Sequence, residues 1–319
     1  MTEGRKKQKK AGFEVKTFNV PTSLEEIKKD ITISTDSNSS KEQLINKAFR
    51  LHSQGNILEA VKYYQNFINQ GFDDHRIFSN YGLVLKDLGK LKEAEVSLRK
   101  AIEIKPDYAN AFNNLGLILK DLDKLKEAEI SLRKAIELNP DFAEANYNLS
   151  FILLKEKKFK EGFNKYEWGF EVKNRRKLAR IKLRTEKPEW TPNKKGKVLL
   201  WDEQGIGDKI LFASLIPELV EKVDQLIVQV DERLIPLFRR SFDQGIIYIN
   251  KNQLIDEKSY DSHIAMGSLL KFLRKSEEDF KKGKKIYLKV NERESNILKE
   301  KLRDSEHEKI IGISWKSSS

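Results

Sequence analysis

The chain has 319 residues, a length that suits two domains of ordinary size. Hydrophobic residues make up 39% and charged residues 34%, which predicts packed cores under a large solvated surface. The absence of cysteine excludes disulfides, thiol catalysis and zinc–thiolate sites. No apolar run approaches the roughly 18 residues of a membrane span, and no apolar segment follows the basic start GRKKQKK as a secretory signal requires. We therefore expect a cytoplasmic protein without a membrane span.

The net charge of +12 is concentrated in two segments. Residues 173–197 contain eleven Lys or Arg and two Glu, and residues 1–16 contain six Lys or Arg and two Glu. The remainder of the chain is close to neutral. A solvated or weakly anion-attracting linker explains this pattern, and a site for nucleic acid or an acidic membrane is the alternative. We regard nucleic-acid binding as the weaker of the two.

Residues 1–40 are polar and rich in Lys, Ser and Thr, so we predict a disordered tail. From residue 41 the chain repeats every 34 residues. The two best copies are HRIFSNYGLVLKDLGKLKEAEVSLRKAIEIKPDY at 75–108 and ANAFNNLGLILKDLDKLKEAEISLRKAIELNPDF at 109–142. Matched glycines, Gly82 and Gly116, are expected where two helices cross closely, and matched prolines, Pro106 and Pro140, end each unit.

Weaker copies at 41–74 and 143–176 flank these two. Four helix-turn-helix units in series predict a solenoid in which each unit buries its apolar face against the next. The pattern resembles the tetratricopeptide repeat. This resemblance implies that the first helix of each unit lines an inner groove.

A basic linker is predicted at 177–196, and the apolar period changes after it. The short runs VLLW (198–201), LIVQV (226–230), IIYI (246–249) and IIGISW (310–315) alternate with helical patterns. This alternation predicts a parallel sheet covered by helices. Residues 197–319 are therefore expected to form a Rossmann-like α/β domain.

The stretch WDEQGIGDKILF at 201–212 lies where the first of these strands ends, a place where open α/β sheets bind ligands. Gly205 and Gly207 are predicted to supply a positive φ or a close backbone approach. The third glycine of a dinucleotide fingerprint is absent, and no phosphate-binding loop of the GxxxxGK[ST] type occurs. Asp208 is predicted either as a helix-capping or first-turn acid or as a general base. The residues of the turn alone do not separate these two roles.

The turn EQGIGDKILFASLIPEL, the stretch YDSHIAMGSL at 260–269 and repeats that end in YEWGFE together resemble bacterial repeat-containing glycosyltransferases. Their catalytic part is similar to heptosyltransferases and to protein O-linked N-acetylglucosamine transferases, which have two Rossmann-like halves (the GT-B fold). The resemblance implies that Asp208 acts as the base that activates an acceptor hydroxyl, with Glu203 and Gln204 on the acceptor side. It also implies a metal-independent reaction that uses a nucleotide sugar as donor substrate and no tightly bound cofactor.

In that family the second half holds the donor, and IIGISW resembles its first strand. The resemblance therefore implies that 197–319 is an incomplete transferase domain, the acceptor half only. The alternative function is a non-catalytic scaffold in which the repeats bind a protein.

An asparagine recurs at the sixth position of all four units: Asn46, Asn80, Asn114 and Asn148. Amides in register along the groove are able to bond a peptide backbone as donor and acceptor. The resemblance to O-linked N-acetylglucosamine transferases, which use such a ladder, supports this interpretation. Asparagine as a common consensus residue of the repeat is the alternative.

Two further patterns are weaker. Asp121-Leu122-Asp123 has the spacing of a metal-binding D-x-D motif, but the preceding repeat has Asp87-Leu88-Gly89 there, so Asp123 is expected to replace a turn glycine. The four histidines are scattered without the spacing of metal ligands. His263 lies near a strand end and is expected to pack or to face solvent. We predict no metal site, and the oligomeric state stays open.

Overall fold

The computed structural model describes residues 41–172, 180, 182–242, 244–282 and 287–302. The predicted polar tail at 1–40, the run IIGISW at 310–315 and most of 173–181 lie outside these residues.

Eight helices in antiparallel pairs form the first region, and their bounds follow the repeat period. They are α1 (Lys41–Ser53), α2 (Ile57–Asn69), α3 (His75–Asp87), α4 (Leu91–Ile104), α5 (Ala109–Asp121), α6 (Leu125–Leu138), α7 (Ala143–Lys155) and α8 (Phe159–Tyr166). Each helix packs against its partner and against the next pair, and one apolar core runs through the stack. The predicted helical solenoid is confirmed.

The repeat glycines lie where two helices cross closely, as the repeat period predicts. A Cβ on Gly116 would lie 2.6 Å from Cγ of Leu132, and a Cβ on Gly82 would lie 2.7 Å from Cγ of Leu98. Because both leucines are buried, the two helices of a repeat cross at a distance that only glycine allows.

The turns between paired helices end in left-handed residues. Gly89 has φ of 74°, and Asp123 and Lys157 at the matching positions have φ of 60° and 61°. Asp123 also forms an ion pair with Lys155 at 2.6 Å. Asp121-Leu122-Asp123 is therefore a helix-ending turn in which Asp123 takes the place of glycine.

Four strands form the second region: β1 (Lys197–Trp201), β2 (Gln225–Val230), β3 (Ile247–Asn250) and β4 (Ser262–Ala265). They pair in parallel in the order β3-β2-β1-β4. Three strands match the predicted runs, and β4 is new. Its four residues include Ser262 and His263, so its apolar signal is too short to read, and its burial comes from pairing beside β1.

The helices of this α/β domain are α9 (Ile206–Phe212), α10 (Ile216–Val220), α11 (Ile235–Ser241), α12 (Leu270–Leu273), α13 (Glu277–Lys281) and α14 (Glu292–Leu302). Helices α9, α10 and α11 cover one face of the sheet through Val198, Leu200, Val228 and their neighbours. The opposite face, with Leu199, Trp201 and Ile227, packs against Phe170, Leu183 and Ile255 instead of helices. The domain is therefore α/β with a parallel sheet, and the helices that would cover both faces of a Rossmann fold lie on one face of the described part.

The predicted basic linker is anchored to the α/β domain at a few points, while most of its described residues are exposed. Trp190 is fully buried in the core of the sheet domain, and its backbone N–H donates to the carbonyl of His263 at 2.8 Å. The N–H of His263 donates to the carbonyl of Pro188 at 3.1 Å, so the segment runs along β4. The described lysines of this segment are exposed or half-buried, and the expectation of a solvated linker fails only where Trp190 and Arg180 are buried.

The α/β domain closes the end of the solenoid. Phe280 of α13 packs on Phe159 of α8 with ring centroids 4.8 Å apart, and Lys157 forms an ion pair with Glu277 at 3.0 Å. A terminal repeat needs such a cover, since its apolar face has no further repeat to pack on. None of the helices in the described part has the length and apolar character needed to span a bilayer.

Candidate functional site

The asparagine ladder lies on the first helices of the repeats, and part of it joins one repeat to the next. Asn114 donates to Oγ of Ser79 at 3.2 Å, and Asn148 donates to Oδ1 of Asn113 at 2.9 Å. Asn80 donates to the carbonyl of Arg76 in its own helix at 2.8 Å. These amide donors stabilise the stacking of the solenoid.

The side-chain oxygens of the ladder take part in fewer hydrogen bonds than its N–H groups. The side-chain oxygens of Asn80 and Asn148 accept no hydrogen bond in the described part of the chain, and Asn46 is exposed. Sequence reasoning missed Asn113 and Ser79 as members of this network. The adjacent pair Asn113-Asn114 was the only signal, because the bonds join residues 35 positions apart.

An apolar row runs beside the asparagines. Each member lies three residues after an asparagine and therefore on the same side of its helix; the members are Phe49, Leu83, Leu117 and Phe151. The first three are half-buried, and Phe151 is 39% exposed. This row was visible in the repeat register but was not predicted as part of the groove.

The glycine turn after β1 differs from its prediction. Gly205 precedes α9 with φ of −67°, and Gly207 is helical, so neither residue has a positive φ. A Cβ on Gly207 would meet nothing within 4 Å, and one on Gly205 would lie 3.5 Å from Oδ2 of Asp208. The expectation of a positive φ is wrong, because the chain enters α9 through an extended residue, and the close backbone approach stays a prediction. The two glycines instead leave the backbone of the turn uncovered.

Asp208 lies in the first turn of α9 and is exposed. Its carboxylate forms no hydrogen bond or ion pair with any described residue, so it does not cap the helix through its side chain. It lies near the last repeat. Burial raises the pKa of Tyr147 and Tyr166, and the negative charge of Asp208 adds to the increase in both cases.

Gln204, predicted on the acceptor side, contacts the last repeat, whereas Glu203, predicted beside it, reaches the repeat only through Arg180. Gln204 donates to the hydroxyl of Tyr166. Glu203 is buried and accepts from Nη2 of Arg180 at 2.9 Å and from the N–H of Gly267 at 3.1 Å. Both residues therefore join the turn to the end of the solenoid.

Arg180 is the centre of a buried ionic cluster at this junction. The residue is 4% exposed, and its Nη1 contacts Oε1 of Glu167 at 2.7 Å while its Nη2 contacts Oγ of Ser268 at 2.9 Å. Its guanidinium carbon lies 3.8 Å from the ring centroid of Phe170. Sequence reasoning counted Arg180 with the solvated linker charges, since its partners lie up to 88 positions away.

The pKa values of the two carboxylates that share Arg180 are shifted in opposite directions. Burial raises the pKa of Glu203 above its usual value, although Arg180 counteracts part of the effect. Burial also opposes the charge of Glu167, but Arg180 and Lys271 outweigh it and lower the pKa. Lys271 contacts Glu167 at 2.8 Å and Glu189 at 2.7 Å. The cluster thus joins the end of the last repeat, the connecting segment and the residues that follow β4.

A cavity of about 540 Å³ lies beside the carboxyl ends of β1 and β2. Its lining includes Glu203, Gln204 and the ion pair of Asp202 with Lys209 at 2.5 Å. Asp208 is not among the lining residues. The structure thus places Glu203 and Gln204 at the cavity and leaves Asp208 out of its lining.

His263 is half-buried and accepts from Nε1 of Trp201 at 3.1 Å, and burial lowers its pKa. It packs against the sheet. No group of three or more His, Cys, Asp or Glu suited to a metal ion occurs in the residues that the structure covers.

Family models match the repeat region. A TPR repeat model matches residues 82–123, and a tetratricopeptide repeat model matches residues 109–142. The repeats are tetratricopeptide repeats. One similar curated protein is FlbA of Caulobacter vibrioides, which is 26% identical over 136 residues. That match covers 38% of this chain and 23% of FlbA, so the chain spans about a quarter of that relative.

Solved structures similar to this chain include two TPR proteins. The first TPR of Spaghetti (RPAP3), solved bound to the HSP90 peptide SRMEEVD, is 25% identical, with a TM-score of 0.34 over 35% of this chain and 90% of its own. YrrB, a TPR protein with an unusual peptide-binding site, is 25% identical, with a TM-score of 0.36 over 40% of this chain and 66% of its own. MamA is 22% identical, with a TM-score of 0.37 over 41% of this chain and 71% of its own.

The two family models end before the α/β domain begins. The resemblance of that domain to glycosyltransferases therefore stays a prediction, as do the nucleotide-sugar donor and the role of Asp208.

Proposed function

We propose that this tetratricopeptide-repeat protein is a scaffold that holds an extended segment of a partner protein in the inner groove of its solenoid. The observation that supports the proposal is the pair of rows on the first helices. One row contains the four asparagines, and the other contains Phe49, Leu83, Leu117 and Phe151.

The two rows supply different parts of recognition. Side-chain amides pair with the N–H and C=O groups of a peptide backbone whatever its sequence. Half-buried apolar side chains exclude water and accept apolar side chains of the partner. Two oxygens of the ladder, on Asn80 and Asn148, have no partner in the described part of the chain and suit a peptide N–H.

The second helices offer a matched control surface. Val96 and Ile130 are 69% and 70% exposed, occupy equivalent positions in neighbouring repeats and lie on α4 and α6. The test selects 12-residue peptides from a random display library on the full chain and measures their affinity by fluorescence anisotropy. The groove variant carries Leu83→Ser and Leu117→Ser, and the control carries Val96→Ser and Ile130→Ser.

We expect the groove variant to lose about tenfold or more in affinity, because two apolar contacts of about 1 kcal/mol each disappear. The control should bind as the wild type does. A larger loss in the control would place the binding surface on the outer helices, and a library that yields no peptide would contradict the scaffold function. Circular dichroism melting of both variants checks that the solenoid is folded.

A second candidate is the acceptor half of a nucleotide-sugar transferase. It is supported by the position of the turn at the carboxyl end of β1, beside a cavity lined by Glu203 and Gln204. In this function Asp208 takes the proton of an acceptor hydroxyl, which then attacks the anomeric carbon of the sugar while the nucleoside diphosphate leaves.

This candidate is tested with radiolabelled uridine, guanosine and adenosine diphosphate sugars on the chain fused to the donor-binding half of a GT-B transferase, since the acceptor half alone holds no donor. Release of the nucleotide by the wild type and its loss in Asp208→Ala would support the transferase, with exposed Asp256→Ala as the control. Unchanged turnover in Asp208→Ala would contradict the role as base. The absence of both turnover and donor binding would remove the candidate.

A further inference from the structure

Trp201 and His263 form a hydrogen bond between their side chains on the sheet face that no described helix covers. Nε1 of Trp201 donates to Nδ1 of His263 at 3.1 Å. Their strands pair side by side, with Leu199 opposite His263 and Trp201 opposite Ala265, so the two rings are diagonal neighbours on one face. The name "indole–imidazole contact" is used below for this hydrogen bond.

The indole–imidazole contact is compatible with one state of the histidine ring. An indole nitrogen only donates, so Nδ1 of His263 acts as the acceptor and carries no proton. The ring is therefore neutral, with its proton on Nε2. A proton on Nδ1 would set two N–H groups against each other, and the contact would be lost.

The charged groups that share a cavity with the histidine ring are largely paired with one another. They are the carboxylates of Glu167, Glu171 and Glu189 and the ammonium groups of Lys182, Lys187 and Lys271. Lys271 pairs with Glu167 at 2.8 Å and with Glu189 at 2.7 Å. Lys182 pairs with Glu171 at 3.6 Å. Negative and positive groups are therefore present in equal number around the ring.

Burial decides the direction in which the ring titrates. Burial lowers the pKa of His263 below the usual value of 6.5, and Lys182 adds to this decrease. The charges of Glu189 and Glu257 and the backbone of Lys187 oppose only part of it. The ring is therefore neutral at neutral pH and takes up a proton under mildly acidic conditions.

The backbone of His263 is held on the side away from β1, so its ring is the part that responds to a proton. Its carbonyl accepts from the backbone N–H of Trp190 at 2.8 Å, and its N–H donates to the carbonyl of Pro188 at 3.1 Å. Neither bond involves a group that titrates. A proton on the imidazole therefore acts on the indole–imidazole contact and leaves the pairing of β4 in place.

The indole of Trp201 lies between two cavities. One is the cavity of about 540 Å³ beside the carboxyl ends of β1 and β2, and the other, of about 430 Å³, lies beside the ionic cluster of Arg180. Lys182, Leu183 and Trp201 line both cavities, and Trp201 is the buried member of the three, at 5% exposed. The indole is thus part of the wall between the cavities, and the indole–imidazole contact fixes its orientation.

We propose that the indole–imidazole contact is a pH-sensitive switch that keeps the wall between the two cavities closed while His263 is neutral. When Nδ1 takes up a proton, Trp201 loses its acceptor and its indole turns away from His263. The two cavities then join along the face of the sheet. The switch lies outside the groove of the solenoid and acts whichever of the two proposed functions the chain has.

The switch is tested by NMR on the full chain with ¹⁵N in the indole of its tryptophans. The chain has four tryptophans, and the resonance of Trp201 is identified by its loss in Trp201→Phe. Spectra are recorded between about pH 8 and about pH 5 for the wild type, His263→Asn and His52→Asn. Asparagine at position 263 offers an amide oxygen close to the place of Nδ1 and does not titrate. His52, on α1 of the solenoid, provides the control.

We expect the Trp201 resonance of the wild type to move with one midpoint below pH 6.5 and to stay in place in His263→Asn. His52→Asn should follow the wild type. At about pH 5 the indole proton of the wild type should exchange with water about tenfold faster than that of His263→Asn, a factor that corresponds to one hydrogen bond. Circular dichroism checks that each variant is folded.

A second measurement needs no substitution at position 263. Spectra of the ¹⁵N-labelled histidine rings, in which His263 is identified by its cross-peak with the indole proton of Trp201, show which ring nitrogen carries the proton. We expect Nε2–H at neutral pH and an imidazole midpoint equal to that of the Trp201 resonance.

Four results would overturn the switch. They are a proton on Nδ1 of His263 at neutral pH, a Trp201 resonance that does not move with pH, one that moves equally in His263→Asn, and equal exchange rates of the indole proton in wild type and His263→Asn at acidic pH. The first two are read from proteins that keep His263, so they hold even if His263→Asn does not fold.

Discussion

The two regions of this molecule differ in where their ion pairs lie. In the solenoid, ion pairs lie on the surface and join neighbouring repeats, as Arg99 joins Glu95 at 2.8 Å and Glu127 at 3.0 Å. At the junction with the α/β domain, Arg180 and Glu203 are both buried and pair at 2.9 Å. Exposed pairs contribute little to stability, whereas removing one member of a buried pair is costly. The junction is therefore the part of the fold most sensitive to a single charged residue.

The largest effect is expected from Arg180→Ala, which leaves Glu167 and Glu203 buried near each other without their shared cation. We expect a loss of about 3–5 kcal/mol in the free energy of unfolding of the α/β domain. Urea unfolding followed by tryptophan fluorescence reports on this domain through Trp190 and Trp201, while circular dichroism reports mainly on the solenoid. The two transitions should separate in the variant.

Lys182→Ala is the matched control, since Lys182 is 70% exposed and pairs with Glu171 at 3.6 Å. It should unfold as the wild type does. An unchanged fluorescence midpoint in Arg180→Ala would show that the ionic cluster does not hold the two regions together.

A smaller loss is expected from Gly116→Val within the solenoid. The new Cβ would lie 2.6 Å from Cγ of Leu132, so the helices of this repeat must separate. We expect a loss of about 1–3 kcal/mol, measured by circular dichroism in urea. Gly207→Ala, which meets no neighbour, should stay within about 0.5 kcal/mol of the wild type. If both variants lost the same free energy of unfolding, Gly116 would not be more closely packed than Gly207.

The pH dependence of the stability of Glu167→Gln tests the ionic cluster at the junction. Because the pKa of Glu167 is lowered in the folded protein, its contribution is present above the usual value of 4.5 and is lost as pH falls through the folded pKa. At neutral pH we expect the variant to be less stable by on the order of 1–2 kcal/mol. Below pH 4.5 the two stabilities should converge.

Stability is measured by urea unfolding between acidic and neutral pH. Glu127→Gln, half-exposed in its pair with Arg99, should show a smaller difference at neutral pH. A gap between Glu167→Gln and the wild type that widens towards acid pH would reverse the assigned sign.

The smallest effect is expected along the asparagine ladder. Asn148→Ala removes the hydrogen bond to Asn113 at 2.9 Å and should cost about 0.5–1.5 kcal/mol. Asn46→Ala should cost less than about 0.5 kcal/mol, because Asn46 is exposed. Thermal melting of both variants measures the difference. If Asn46→Ala proves as costly as Asn148→Ala, the ladder stabilises the solenoid uniformly and not through bonds between repeats.

The 34-residue period of the sequence by itself determined the solenoid. Gly82, Gly116 and the left-handed turn at Asp123 follow from comparing one unit with the next, since their contacts lie within a unit or between adjacent units. The runs that became β1, β2 and β3 were also readable, because each is long enough to carry its own apolar signal.

Tertiary structure alone decided the rest. Lys271 meets Glu167 across 104 positions, Arg180 meets Ser268 across 88, and β4 gains its burial only beside β1. The contact of Gln204 with Tyr166 of the last repeat is of the same kind, as is the uncovered state of Gly205 and Gly207. Local periodicity carries no record of such pairings, because they depend on how two differently built regions pack together.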